Sequence, residues 1–206
     1  MQGTTKNKRF FRVYCKFYVK RNWQTLLFAI LYILGLSMGV CFLFLTDSSQ
    51  ENLETLDLVG QVSEAFLSSR IYGSFREIFF SSFLSVFWYI GLFSLMGLIR
   101  GGKWLVLPLI WFRGLGSGLS AAGIYYQAGW DAFPFMAKVV TPVALCQTVL
   151  LIWAANTVWR YQSQAAVLTG EKARRESRSY WLLFLLFTAL STVFAGLDAL
   201  LSAWWM

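Results

Sequence analysis

The chain has 206 residues, of which 57% are hydrophobic, and a formal net charge of +8. So apolar a composition is unusual for a soluble domain, and it leaves no room for a sizeable soluble domain beside the apolar segments. The chain contains no histidine, which excludes histidine bases and histidine metal ligands. Asp131 and Asp198 lie far from other acids in the sequence, so no general acid–base set is visible either. We predict a protein that is not an enzyme and that holds no metal or cofactor.

Five apolar stretches are long enough to cross a membrane. A hydrocarbon core of about 30 Å takes about 20 residues of helix, and each stretch reaches that length. We predict membrane spans at residues 23–45, 78–99, 104–127, 133–159 and 180–204. The expected fold is an all-α integral membrane protein, in which one domain forms a bundle of five transmembrane helices.

Charge is distributed unevenly between the predicted connections. Lysine and arginine concentrate in residues 1–22, 100–103 and 160–179, whereas most acidic residues lie in the first outer loop, residues 46–77. Because basic connections are retained in the cytoplasm, we predict a cytoplasmic N-terminus and an external C-terminus. Topology accounts for the basic charge, so we predict no nucleic-acid partner.

Two segments outside the spans have helical periodicity. Within the basic cytoplasmic segment, residues 8–22 place Lys8, Arg12, Lys16 and Lys20 on one stripe and aromatic residues on another. This pattern predicts an interfacial amphipathic helix on anionic lipid, and the alternative is a docking site for an acidic partner. Residues 46–77 predict an amphipathic helix on the outer surface, as a cover over the bundle or a contact for a partner.

Small residues recur at a spacing of four in two of the predicted spans. Gly35 and Gly39 lie on one face of the first span, and Gly114, Gly118 and Ala122 lie on one face of the third. Such faces let helix backbones approach closely, which drives helix association in lipid. We predict that these faces pack helices of the bundle or contact a partner.

Prolines and an aspartate surround the short turn after the third span. We expect Asp131 to cap the next helix and Pro134 to lie in its first turn. Pro142 lies deeper in that helix, and we expect it to free the carbonyl of Lys138 and to kink the helix.

Three charges fall within the spans. Arg113 lies near mid-membrane, where a charge costs about 2.5–3.5 kcal/mol on insertion scales. Lys138 and Asp198 fall at a similar depth, near the outer ends of their helices, and we expect them to pair. Arg113 then either stabilises the bundle or a partner contact, or lines a path for a solute or a proton.

The run from Leu107 to Leu151 resembles the stage II sporulation protein M family. The resemblance rests on LPLIWFRGLGSG, in which Arg113 is followed by Gly114, then on the GWDAF turn and on the proline at Pro142. It extends upstream through LVGQVSEAF and FREIFFSSFLSVFWYIGLFSLMG. The chain departs from the family after Pro142, where Val143 and Ala144 replace polar residues and Gln147 is the nearest polar side chain.

The resemblance implies a non-catalytic scaffold of a bacterial cell membrane. Such a protein would hold peptidoglycan-degrading enzymes, the membrane-anchored stage II sporulation proteins P and D, at the septal membrane during engulfment of the forespore. The alternative is the membrane subunit of an ATP-driven transporter, or a small-solute permease. The sequence leaves open whether the protein self-associates.

Overall fold

A computed structural model describes residues 3–48, 61, 73–165 and 171–205. Helices account for nearly all of these residues, and no strand occurs among them. The five long helices are α1 (Gly3–Ser48), α2 (Phe75–Leu98), α3 (Val106–Ala128), α4 (Thr141–Ala165) and α5 (Glu171–Trp205). A 3₁₀ turn (Gly102–Trp104) joins α2 to α3.

Five helices are long and apolar enough to cross a membrane, at Trp23–Leu45, Phe75–Leu98, Gly102–Tyr126, Gly129–Gln164 and Arg175–Trp204. Large apolar side chains cover their outer surfaces; Ile33, Trp88 and Leu185, for example, are each at least 60% exposed. A continuous apolar surface of this kind is what lipid tails require and what soluble monomers avoid. The prediction of an all-α chain with five apolar helices is confirmed.

Helix α1 is longer than its predicted span. It runs without a break from Gly3 to Ser48, so no boundary separates the basic N-terminal segment from the span near residue 22. The side chains of residues 1–22 lie outside the described part of the chain, and so does most of residues 46–72. The two amphipathic helices predicted there stay predictions.

Helix α2 begins at Phe75 instead of residue 78 because a capping box precedes it. The side-chain oxygen of Ser74 accepts a hydrogen bond from the backbone N–H of Glu77 (3.4 Å), and the Glu77 carboxylate accepts one from the backbone N–H of Ser74 (2.9 Å). Two backbone donors that the first helical turn would leave unpaired are thereby satisfied.

The helices pack in two groups. Helix α1 makes its closest and most extensive contact with α3, whereas α2 packs on α5 and α4, which also contact each other. Helix α4 joins the groups because it also touches α1; α2 and α3 meet at few positions. The larger apolar core lies around Phe93, Ile110 and Trp159, and a smaller apolar cluster of Ile124, Ala132 and Met136 lies near the α3–α4 turn.

The connection between α3 and α4 is helical throughout. A 3₁₀ turn (Gly129–Ala132) is followed by one α-helical turn (Phe133–Phe135) and a π-helical turn (Met136–Val140). Pro134 lies in the first turn of the α-helical piece, as expected. The expectation for Asp131 was wrong, because the N-cap is Ala132 and no side chain caps this helix. The 3₁₀ turn carries the chain into the helix, and Asp131 points to the surface.

The π-helical turn lies directly before Pro142, which has no N–H with which to continue an α-helical ladder. The backbone N–H of Thr141 bonds to the carbonyl of Met136. Its hydroxyl donates to the same carbonyl at 2.8 Å. The wider π turn therefore accommodates the proline locally, with Thr141 tying the two ends of the turn together.

Candidate functional site

Glycines of α1 lie against the backbone of α3, and glycines of α3 lie against the backbone of α1. A Cβ atom at Gly35 would collide with the carbonyl oxygen of Trp111, and one at Gly39 would collide with that of Leu115. Conversely, a Cβ atom at Gly114 would collide with the carbonyl oxygen of Tyr32. The residue numbers of the contacting positions increase together along the two helices. Helices α1 and α3 are therefore parallel, with their backbones in contact.

The third glycine of this contact lies against Leu36. A Cβ atom at Gly118 would collide with the carbonyl oxygen of Leu36, and it would lie 3.0 Å from the carbonyl carbon. Ala122, one turn further along α3, is buried. The face that the sequence singled out on α3 is thus occupied by the chain's own α1, which leaves no space there for the helix of another protein.

Arg113 and Gly114 are neighbours in sequence but point to different sides of α3. Gly114 closes against α1, whereas the half-buried side chain of Arg113 points between α3 and α2. The guanidinium carbon of Arg113 lies 5.3 Å from the ring centre of Tyr89 on α2. A cation over an aromatic face is attracted by the ring quadrupole, an effect of about 0.5–2 kcal/mol.

A cavity of about 420 Å³ lies beside Arg113, between residues of α2, α3 and α4. Its walls come from α1, α2, α3, the π turn and α4. Polar groups face it from three of these helices, namely Ser81, Ser82, Ser85, Arg113, Ser117, Ser120, Thr141, Gln147 and Thr148. None of the described residues that line it is acidic.

The hydrogen bonds around the cavity divide its hydroxyls into two kinds. Ser117, Ser120 and Thr148 donate to carbonyls one turn earlier in their own helices, at 2.9, 2.9 and 2.7 Å. Ser82 instead accepts a hydrogen bond from the side-chain amide of Gln147, at 3.0 Å. Because its oxygen is the acceptor, the hydroxyl proton of Ser82 is left for another partner.

The cavity ends at Arg113. On the other side of this residue a void of only about 10 Å³ is bordered by Phe93, Ile110 and Leu151, which belong to the larger apolar core. At the opposite end, Ile124 and Met136 of the smaller apolar cluster line the cavity. Among the described residues, the polar space therefore lies between the two apolar clusters.

No family model, curated protein or solved structure matches the chain. Within the described ranges there is no group of three or more His, Cys, Asp or Glu that could hold a metal ion. The site is thus characterised by Arg113, its hydroxyl and amide neighbours and the cavity they surround.

The other two charges of the predicted spans, Lys138 and Asp198, are not among the residues that line this cavity. Lys138 belongs to the π turn, which packs against α5, the helix that carries Asp198. Asp198 is completely buried, whereas Lys138 is exposed. The π turn and α5 are in contact. The pairing of Lys138 with Asp198, which we predicted from their similar depth, stays a prediction.

Two residues that the sequence analysis missed tie the opposite end of the helices together. The side-chain amide of Gln162 on α4 donates to the carbonyls of Met96 (2.7 Å) and Ile99 (2.6 Å), and its oxygen accepts from the backbone N–H of Lys103 (3.0 Å). The hydroxyl of Tyr180 donates to the carbonyl of Ser94 at 2.9 Å. In the sequence, the only indication of this role was that each residue carries a polar group, an amide or a hydroxyl, at the boundary of a predicted span.

Proposed function

We propose that this protein is a non-catalytic scaffold of the bacterial cell membrane that holds peptidoglycan-degrading enzymes at the septal membrane during engulfment. The partners are the membrane-anchored stage II sporulation proteins P and D. The N-terminus lies in the cytoplasm and the C-terminus outside, because the basic connections of the chain fall on one side. The proposal rests on the resemblance to the stage II sporulation protein M family.

The observation that supports this proposal best is the position, within the fold, of the segment from LPLIWFRGLGSG to Pro142, which carries the resemblance. Within this segment Gly114 and Gly118 fasten α3 to α1, and Arg113 lines the cavity. The π turn before Pro142 lines the same cavity from the other side. The residues that carry the resemblance are therefore the ones that hold the helices together, as a scaffold requires.

A partner's transmembrane anchor would use a face other than the glycines of α3, because α1 covers them. Gly91 of α2 and Gly196 of α5 are suited to this, because nothing lies within 4 Å of a Cβ atom built at either position. An approaching helix could come close to the backbone at such positions. We expect Gly91→Leu or Gly196→Leu to weaken the scaffold's complex without unfolding the protein.

Purification in mild detergent from the native cell tests the scaffold directly. We expect membrane-anchored wall hydrolases to be recovered with the wild-type protein, and less hydrolase with Gly91→Leu or Gly196→Leu. The matched control is Ala203→Leu, at an exposed position of α5, which should recover as much hydrolase as the wild type. Recovery of no wall hydrolase would reject the scaffold.

The polar cavity favours a second candidate, the membrane subunit of an ATP-driven transporter or a small-solute permease. A polar cavity around an arginine of a membrane span is typical of substrate paths. If this candidate is correct, the same purification yields a nucleotide-binding ATPase instead of hydrolases. For a permease, reconstituted vesicles would accumulate a solute in a manner that depends on Arg113.

A further inference from the structure

We propose that the cavity beside Arg113 binds the oxyanion group, a phosphate or carboxylate, of an amphiphilic molecule. This inference depends on the cavity alone and applies whether the protein is a scaffold or a transporter. It assigns the site a ligand class, which the proposed function does not do. Four observations on the described residues carry it: the charge, the free donors, the volume and the entrance.

The charge of Arg113 lacks an opposite charge in the cavity. The described lining residues include no carboxylate, and the contact that the structure shows for the guanidinium is the ring of Tyr89. A ring face offsets only part of the cost of holding a cation in a membrane span. An oxyanion in the cavity would offset more, since guanidinium binds phosphate and carboxylate groups through paired N–H donors.

The free donors in the cavity surround the same space. Most hydroxyl groups of α3 and α4 in the cavity donate their hydrogen bond to a carbonyl of their own helix. The guanidinium of Arg113 and the hydroxyls of Ser81 and Ser82 remain, and Gln147 holds Ser82 in place through a buried hydrogen bond. A charged donor together with a neutral hydroxyl donor is a suitable set for an oxyanion and an unsuitable one for a cation.

The volume and the entrance indicate an amphiphile. About 420 Å³ lies within the range of about 300–1,000 Å³ that is usual for ligand pockets, and it exceeds what a single inorganic anion fills. An apolar cluster lies at each end of the cavity. The lining residues that are exposed include Gly116 and Leu145, and the side chain of Leu145 is 61% exposed. An opening between helices at this depth leads to lipid, so a molecule with an apolar tail would reach the site most directly.

The test compares ligands that share the same tails. The full-length protein, in an uncharged maltoside detergent, is titrated with phosphatidic acid, with diacylglycerol of the same chains, and with inorganic phosphate. The readouts are the midpoint of thermal unfolding and the bound lipid detected by native mass spectrometry. We expect phosphatidic acid to raise the midpoint and to stay bound, and diacylglycerol to do neither. A response to inorganic phosphate as strong as that to phosphatidic acid would keep the oxyanion site but overturn the amphiphile, because the ligand would then be a soluble anion.

Variants locate the effect. We expect Arg113→Gln to weaken phosphatidic acid binding by about tenfold or more, and Arg160→Gln, at an exposed arginine, to leave it unchanged. Gly116→Leu fills the cavity without altering its charge, because nothing lies within 4 Å of a Cβ atom there, and it should also abolish binding. Gly196→Leu is its matched control and should retain binding.

The proposal is overturned if diacylglycerol binds as well as phosphatidic acid, or if Arg113→Gln binds phosphatidic acid as tightly as the wild type. It is also overturned if no oxyanion binds. In that case the carboxylate of another transmembrane chain would be the counter-charge to examine.

Discussion

The backbone of Gly118 rests directly on the backbone of Leu36. A Cβ atom at Gly118 would collide with the carbonyl oxygen of Leu36 and lie 3.1 Å from its Cα atom. Because lipid tails give no advantage to burying apolar side chains, contacts of this kind, backbone against backbone, are what holds transmembrane helices together. Helices α1 and α3 therefore form the tightest pair in the structure.

Replacing Gly118 with alanine should destabilise the protein, because the added methyl group has to separate two backbones. We expect the free energy of unfolding to fall by about 1–3 kcal/mol, the usual cost of overpacking. Gly196→Ala is the matched control, because nothing lies within 4 Å of a Cβ atom there and alanine favours helix by about 1 kcal/mol. Thermal unfolding in detergent measures both; equal midpoints for the two variants would contradict the close α1–α3 contact.

Tyr180 should contribute to stability through its hydroxyl. It donates to the carbonyls of Phe93 (3.2 Å) and Ser94 (2.9 Å), and its ring stacks on that of Tyr161 at 4.2 Å. Tyr180→Phe keeps the stacking and removes the hydrogen bonds, so we expect a loss of about 1 kcal/mol. The same change at Tyr161 should cost less, since the structure shows no hydrogen bond from its hydroxyl to the described residues. A larger loss at Tyr161 would argue against this role of Tyr180.

Gln162 should protect the turn between α2 and α3 from proteases. Its amide spans the turn, joining α4 to the carbonyls of Met96 and Ile99 and to the N–H of Lys103. We expect Gln162→Ala to cost about 2 kcal/mol and to speed tryptic cleavage after Arg100 or Lys103. Gln164→Ala, at an exposed position, serves as the control. Cleavage at the wild-type rate in Gln162→Ala would show that the turn is held by other contacts.

Lys138 and Asp198 should be energetically coupled. We expect Asp198→Asn to destabilise the wild type more than it destabilises Lys138→Gln, with a coupling energy of about 1 kcal/mol or more. The reason is that Lys138→Gln leaves the charge of the fully buried Asp198 uncompensated, so that neutralising Asp198 then relieves part of that cost. Strictly additive losses in unfolding free energy would reject the pair.

Features that follow from local pattern were predictable from the sequence. Apolar length located the five spans, and the spacing of Gly114 and Gly118 located a face that closes on another helix. The pattern could not show which helix would cover it, because α1 and α3 are distant in sequence and the spacing carries no partner information. The structure shows that α1 covers this face, and that Gly35 and Gly39 of α1 lie against the backbone of α3 in turn.

Other features depend on local residue chemistry at the ends of the helices. The start of α2 is set by Ser74 and Glu77, whose spacing is that of a capping box. Asp131 had the chemistry of a cap, yet a 3₁₀ turn placed Ala132 at the N-cap instead. The cavity was beyond prediction, because only the tertiary packing shows that Arg113, Ser82 and Gln147 share it.

Cysteine labelling in intact cells tests the central claim, a chain that crosses the membrane five times with its N-terminus inside. After replacement of Cys15, Cys41 and Cys146, single cysteines are placed at Gln61 and Gln164, both exposed, and treated with a membrane-impermeant maleimide. We predict that Gln61→Cys reacts in intact cells and that Gln164→Cys reacts only after the membrane is permeabilised. Labelling of Gln164→Cys in intact cells, or protection of Gln61→Cys, would contradict the account.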